Sequence, residues 1–251
     1  MDTKTRHSLK QDRFAQATKS SMDWVSGHRS GVMRWTIVAV VVVVAIAAAW
    51  IYWGWSSSKA DTALGAALDT YSAPLAQPGA PAMSGTYATA GDRSKAANQQ
   101  FLAVAQQYGW LSAGAKAHYF AGITYEELGN NASAETELKS AAGSCNKNLV
   151  SLVLASLYHP CDRNLANLAE LAMASLYHQM DRDPEAINIY NALAAKPSET
   201  VPAATAQLDL ADLYAEQGKI EQARKLWAAV KDADKDGVAG ALAAQKLGGK
   251  Q

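Results

Sequence analysis

The 251-residue sequence lacks the features that mark an enzyme or a nucleic-acid-binding protein. Its 23 Lys and Arg residues balance its 23 Asp and Glu residues, and no domain is strongly basic, so binding to nucleic acid is not expected. There is no Gly-rich phosphate loop, no nucleophilic serine in a strand–turn–helix signature, and no pair of catalytic carboxylates. We therefore expect no catalytic residue, no cofactor and no small-molecule substrate.

Cysteine is almost absent. Cys145 and Cys161 are the only two, and their spacing matches neither a CxxC motif nor a metal site. Outside the cytoplasm the sequence is compatible with a disulfide between them and with two ordinary thiols.

Clusters of metal ligands are missing too. His118, His159 and His178 stand alone. His159 and His178 are duplicates of each other, and each of these two is expected to pack against or cap a helix end. Residues 232–237 resemble the start of an EF-hand calcium loop, but the position that needs a bidentate glutamate is Ala243. A solvated turn is the better interpretation of this segment, so we expect no metal site.

Strand-forming residues are also scarce. The chain has three Phe, and its Val and Ile are concentrated in one segment, while Ala is abundant throughout. Such a composition favours closely packed helices over sheets, and no segment alternates with the period of a strand. The predicted fold class is all-α.

The segment from Trp35 to Trp53 is the one long apolar run. It contains no charge, includes five consecutive Val, and has aromatic residues at both ends, as expected for a transmembrane helix with two interfacial belts. A cleaved signal peptide fits less well, because the preceding segment is too long and aromatic residues follow at once. A buried helix of a soluble protein does not need so long an uncharged run.

The first 34 residues carry a net charge of +4. By the positive-inside rule, we expect residues 1–34 to form a cytoplasmic tail, residues 35–55 to cross the membrane and residues 56–251 to lie outside the cytoplasm. A helix capped by Ser58 is expected to run to Ser72, followed by a linker over about residues 74–91. Asp92 is the expected N-cap of a helix that ends near Tyr108.

Three segments then share one order of residues: a small residue, an aromatic residue three later, a turn residue, a second small residue and a second large one. The turns fall at residues 129–131, 181–184 and 217–219. The copies are Gly122, Tyr125, Gly129, Ala134, Leu138; Ala174, Tyr177, Asp181, Ala186, Tyr190; and Ala211, Tyr214, Gly218, Ala223, Trp227. This order is typical of tetratricopeptide (TPR) repeats, in which small residues let paired helices approach closely. It predicts a TPR-like α-solenoid of stacked helical hairpins, against the alternative of a generic Ala-rich bundle.

A tighter duplication lies within this region. Residues 148–164 match residues 167–183 at ten of seventeen positions. We predict that the first copy forms a surplus helix that stops at Pro160, and that the second copy is the first helix of its own hairpin.

With these features, the chain resembles the ancillary SecYEG translocon subunit family (YfgM-like) over about residues 35–247. The resemblance rests on the N-terminal anchor, the residues that follow Ala60, the helix with Phe101 and Val104, and the three repeat tyrosines. It implies a bacterial inner-membrane protein with its N-terminus in the cytoplasm and its C-terminal domain in the periplasm. The implied partners are translocon subunits, exported polypeptides or periplasmic chaperones, and protein translocation is the implied role. A cell-envelope scaffold for division or outer-membrane assembly machinery is the alternative.

Partners are expected to bind the surface formed by the first helix of each hairpin, which turns inward in TPR stacks. Its mixture of apolar and acidic side chains suits an extended or helical segment with apolar anchors and some positive charge. The alternative is that these residues only cover the surface and that partners bind the membrane helix. The inward-facing positions, counted from the repeat, are Lys116, Tyr119, Ile123, Glu126, Glu127, Leu168, Leu171, Ser175, His178, Gln179, Thr205, Leu208, Asp212, Ala215 and Glu216.

Overall fold

Helices account for every regular element in the part of the chain that the structure describes. This structure is a computed structural model, and it describes residues 29–76, 85–143 and 162–248. The chain divides into two units, Met1–Ser56 and Ser57–Gln251. The predicted all-α class is confirmed for the described residues, where the one strand-like contact is an isolated bridge between Leu75 and Tyr87.

Helix α1 spans Arg29–Tyr71 and contains the apolar run. Its large side chains between Met33 and Trp55 are mostly exposed (Val41, for example, is 60% exposed), so they pack into no protein core. The helix is long and apolar enough to cross a membrane by length and composition. Residues 1–28 of the predicted basic tail lie outside the described residues.

The prediction of a new helix at Ser58 is wrong, because α1 continues through this residue without a break. Ser58 lies in the helix interior, where its carbonyl accepts a hydrogen bond from Thr62 Oγ1 at 2.8 Å. A serine caps a helix only where the backbone leaves the helical conformation, and no proline or turn residue forces that here.

The expected N-cap of the next helix is also corrected. Helix α2 spans Ala90–Tyr108, and Thr89 caps it with a 3.0 Å hydrogen bond from the Asp92 backbone N–H to Thr89 Oγ1. The Asp92 carboxylate accepts the Thr89 hydroxyl in return, at 2.8 Å, so Asp92 completes the cap from within the first turn. The end at Tyr108 agrees with the prediction.

The remaining helices each pack against the next described helix in chain order. They are α3 (Ser112–Glu127), α4 (Asn131–Ala142), α5 (Arg163–Gln179), α6 (Asp183–Ala195), α7 (Ala203–Glu216), α8 (Ile220–Ala233) and α9 (Val238–Gly248). Two further contacts, of α3 with α5 and of α7 with α9, join elements that are not consecutive in this order. The predicted turns after α3, α5 and α7 are confirmed.

These three turns have one conformation. Gly129, Asp181 and Gly218 have φ values of 73°, 58° and 74°, in the left-handed region. In each turn the next residue's N–H bonds to the repeat tyrosine's carbonyl at 2.8 Å; the acceptors are Tyr125, Tyr177 and Tyr214. This is the hydrogen-bond pattern of a Schellman motif. Asp181 takes the place of glycine because aspartate tolerates the left-handed conformation better than most residues.

The small repeat residues lie where paired helices touch. Ala134, Ala174, Ala186, Ala211 and Ala223 are all fully buried. Gly122 is buried as well, and a Cβ added there would lie 2.6 Å from Leu138 Cγ, inside the contact distance of two carbon atoms. The hairpins therefore depend on the missing or minimal side chains at these positions.

Most of the second copy of the duplicated segment lies in a helix of its own, as predicted, although this helix already begins in the last residues of the first copy. Helix α5 starts at Arg163, and Asp162 Oδ1 caps it by accepting the Leu165 backbone N–H at 3.1 Å. Residues 148–161 of the first copy, which include His159 and Pro160, lie outside the described residues, and so does Cys145 before them. The predicted surplus helix therefore stays a prediction.

Candidate functional site

A pocket of about 390 Å³ lies among the first helices of the three hairpins. One side chain of α3, five of α5 and four of α7 line it, and Tyr190 of α6 completes the wall. Seven of the lining residues belong to the set expected from the sequence: Tyr119, Leu168, Leu171, Ser175, His178, Asp212 and Glu216.

Seven of the other eight expected residues lie outside this pocket, on or just below the surface of the same three helices. Glu126 and Gln179 bond to each other at 2.6 Å and join α3 to α5. The Glu127 carboxylate accepts the hydroxyls of Tyr71 and Ser94, which turns it away from the pocket. The rest are Lys116, which is exposed, and Ile123, Thr205 and Ala215, which are half-buried.

The eighth, Leu208, is not on a free surface. It is 6% exposed and belongs to a core cluster with Trp227 of α8 and with Ala239 and Ala243 of α9. Counting from the repeat misplaced Leu208 because it took no account of α9, whose Ala239 and Ala243 pack in the same cluster.

Four lining residues were missed: Ala172, Tyr190, Asp209 and Leu213. Ala172 and Asp209 occupy equivalent positions, two residues before the buried small residue of their repeats. The pocket lining therefore includes more positions than the expected set. One signal was present in the sequence, since Asp209 places a charge directly between Leu208 and Leu210.

One edge of the pocket is an ionic cluster around His178. Its Nδ1 lies 2.7 Å from Asp183 Oδ1, and its Nε2 lies 2.7 Å from Glu216 Oε2. These hydrogen bonds raise the pKa of His178 and favour the imidazolium, while the bond to His178 lowers the pKa of Asp183. The cluster joins the ends of α5 and α7 to the start of α6.

The α7 wall is acidic. Asp212 accepts a hydrogen bond from Trp227 Nε1 at 2.9 Å and pairs with Lys246 Nζ at 2.8 Å. Its neighbour Asp209 is half-buried, and burial followed by repulsion from Asp212 raises its pKa to about 6. Burial, together with the nearby carboxylates of Asp209, Asp212 and Glu216, also raises the pKa of Tyr190.

The opposite wall is apolar. Leu168 and Leu171 of α5 are half-buried and pack on a core cluster of Leu193, Val201 and Ala206. Tyr119 of α3 is half-buried beside them, and burial raises the pKa of its phenol. The pocket thus offers aliphatic and aromatic contact area on one side and carboxylates on the other, which is an arrangement for binding a ligand with an apolar part and a cationic part.

The motifs outside the pocket have structural partners. His118 Nδ1 lies 2.6 Å from Glu137 Oε2, between α3 and α4. Asp234 Oδ2 accepts the Gly240 backbone N–H at 3.0 Å and so holds the start of α9. Across residues 29–76, 85–143 and 162–248, no group of three or more His, Cys, Asp or Glu side chains is arranged to hold a metal ion.

Comparison with known proteins gives no further assignment: no protein-family model matches the chain, and a search of curated proteins finds no similar sequence.

Proposed function

We propose that this chain is a membrane-anchored protein–protein interaction module, whose TPR-like α-solenoid binds polypeptide segments in the pocket formed by α3, α5 and α7. The observation that carries the proposal is the pocket itself. The first helices of three consecutive hairpins line it, and these are the helices whose side chains form the concave binding surface of solenoid repeats.

The hairpin geometry supports the solenoid. Three turns share one left-handed conformation and one hydrogen-bond pattern, and the residues between paired helices are small and buried. Repeats that stack on their neighbours in chain order build long surfaces suited to extended or helical peptides.

Helix α1 supports the membrane anchor, because the side chains of its long apolar segment are exposed and are not covered by other parts of the protein that the structure describes. We further propose, from the basic first 34 residues and the family resemblance, that the N-terminus is cytoplasmic and the repeat domain periplasmic. In this proposal the protein is an ancillary subunit of the SecYEG translocon at the inner membrane and contacts exported polypeptides or periplasmic chaperones.

The test fills the pocket without disturbing the core. Ser175 is exposed and lines the pocket, so Ser175→Trp places an indole in the proposed binding surface. Ser140→Trp is the matched control, because Ser140 is exposed on α4 and lines no part of the pocket. The full chain and both variants are purified from membranes in mild detergent, and the co-purifying proteins are identified.

Translocon subunits or exported proteins should accompany the original chain and Ser140→Trp, and should be lost from Ser175→Trp. Division or outer-membrane assembly factors in their place would favour the scaffold role. Equal co-purification with all three chains, at equal helical content, would show that partners bind elsewhere.

A further inference from the structure

The pocket contains a tyrosine hydroxyl without a partner. Tyr190 is 5% exposed, and its side chain lines the pocket from α6. Among the residues that the structure describes, no side chain or backbone group forms a hydrogen bond with its hydroxyl. The hydroxyl oxygen is not among the side-chain atoms that are fully buried without a hydrogen bond, so it is reached from the pocket, where water or a ligand supplies its hydrogen bond.

The carboxylate of Asp209, which also lines the pocket, has no partner either. Its half-buried carboxylate forms no hydrogen bond and no ion pair within the described parts of the chain. Its two acidic neighbours differ, because Asp212 is paired with Lys246 and Glu216 with His178. Lys246 lies near enough to lower the pKa of Asp209, but burial and Asp212 outweigh this effect and raise it. Asp209 is therefore the carboxylate of the pocket that lacks a cation.

The pocket walls suit a long side chain. Leu168, Leu171 and Leu213 supply apolar area, and Tyr119 supplies an aromatic ring. A lysine or arginine side chain has an aliphatic stem that packs on such residues and a charged end that requires an acceptor. An anionic ligand would meet repulsion from the unpaired carboxylate of Asp209.

We propose that this pocket receives an arginine side chain of a bound polypeptide, with the guanidinium donating hydrogen bonds to the Asp209 carboxylate and the Tyr190 hydroxyl. Arginine fits better than lysine because its planar group donates in several fixed directions and so reaches two acceptors at once. The inference rests on the polypeptide-binding function proposed above and identifies the residue that is recognised.

The test uses two synthetic peptides of serine and leucine that differ at one central residue. One peptide has arginine there, and the other has citrulline, which has the shape of arginine but no charge. Fluorescence anisotropy measures the binding of each labelled peptide to the full chain in mild detergent. The chains compared are the original sequence, Asp209→Asn, Tyr190→Phe and the control Asp232→Asn, which removes the same charge from an exposed residue of α8.

The original chain should bind the arginine peptide about tenfold more tightly than the citrulline peptide. Asp209→Asn should abolish that preference, Tyr190→Phe should reduce it about threefold, and Asp232→Asn should leave it unchanged. Circular dichroism verifies that each variant retains its helical content.

Equal affinity of the original chain for both peptides would overturn the inference, and so would binding of neither peptide. An equal effect of Asp209→Asn and Asp232→Asn would also overturn it, since that result reflects only net charge. In each case, loss of partners from Ser175→Trp would still support the proposed function, so the two failures are distinguishable.

Discussion

The turns and the pocket both involve α3, α5 and α7, but they differ in how closely their residues repeat from one helix to the next. The turns at Gly129, Asp181 and Gly218 repeat one conformation and one set of hydrogen bonds. The pocket repeats almost nothing: where α5 has Ala172 and Ser175, α7 has Asp209 and Asp212 at the equivalent positions. The repeated residues determine how the helices pack, whereas the residues between them differ from one repeat to the next. The predictions below test that division.

The largest effect is expected at the closest helix contact. Gly122→Ala should lower the free energy of unfolding by about 2 kcal/mol, because its new Cβ would overlap the side chain of fully buried Leu138. Gly65→Ala is the control, since nothing lies within 4 Å of its Cβ position in α1. It should raise the free energy of unfolding by about 0.5 to 1 kcal/mol through helix propensity. Denaturant unfolding of the full chain in detergent, followed by circular dichroism, measures both. Stabilisation by both substitutions would show that α3 and α4 are not in close contact.

The turns should show a smaller effect. Gly218→Ala forces an alanine into φ 74° and should cost about 1 kcal/mol. Gly143→Ala, at the end of α4 with φ −68°, is the matched control and should change little. The same unfolding measurement compares them. An equal loss of unfolding free energy in both variants would mean that the left-handed conformation does not restrict which residue can occupy position 218.

How far the sequence predicts this fold depends on whether a feature is local. Turn glycines, small residues and aromatic spacing are properties of neighbouring residues, and they predicted the three turns between helices correctly. Ser58 and Asp92 failed as N-caps because several residues nearby had the chemistry of a cap and the backbone used another or none.

The pocket residues were predicted only in part, because some of them depend on contacts between parts of the chain that are distant in sequence. Its α5 residues follow from the repeat, but the burial of Leu208 depends on α9, a helix outside the repeat. Tyr190 was identified only as a packing residue, since nothing in the sequence indicates that its hydroxyl lacks a partner.

The pocket carboxylate should make stability depend on pH. The pKa of Asp209 is about 6 in the folded chain, above the ordinary value of 3.8 that applies to the unfolded chain. The carboxyl group therefore binds its proton more tightly in the folded state than in the unfolded state. The folded chain therefore loses stability as pH rises through that range. Asp209→Asn should raise the free energy of unfolding by about 1 kcal/mol near pH 8 and change it little near pH 4. Urea unfolding at the two pH values measures the difference. A destabilising Asp209→Asn at about pH 8 would mean that the carboxylate has a structural partner.

The smallest effect is expected at His178. Its pKa is raised by hydrogen bonds to Asp183 and Glu216, so the imidazolium stabilises the folded chain at low pH and that stability is lost as pH rises above the raised pKa. Because the group is partly exposed, His178→Gln should cost a few tenths of a kcal/mol near pH 6 and almost nothing near pH 9. Thermal unfolding across this pH range measures it. A cost independent of pH would show that the ring acts by packing alone.

The most direct test of the central claim is photo-cross-linking from within the pocket. A photoreactive phenylalanine analogue is placed at Ser175, or at Ser140 on α4 as the control, and living cells that make the full chain are irradiated. We predict polypeptide adducts from Ser175 that are absent from Ser140 and that diminish when Asp209→Asn is added. Adducts of equal yield from both sites, or none from Ser175, would contradict a polypeptide-binding pocket in this face of the repeat domain.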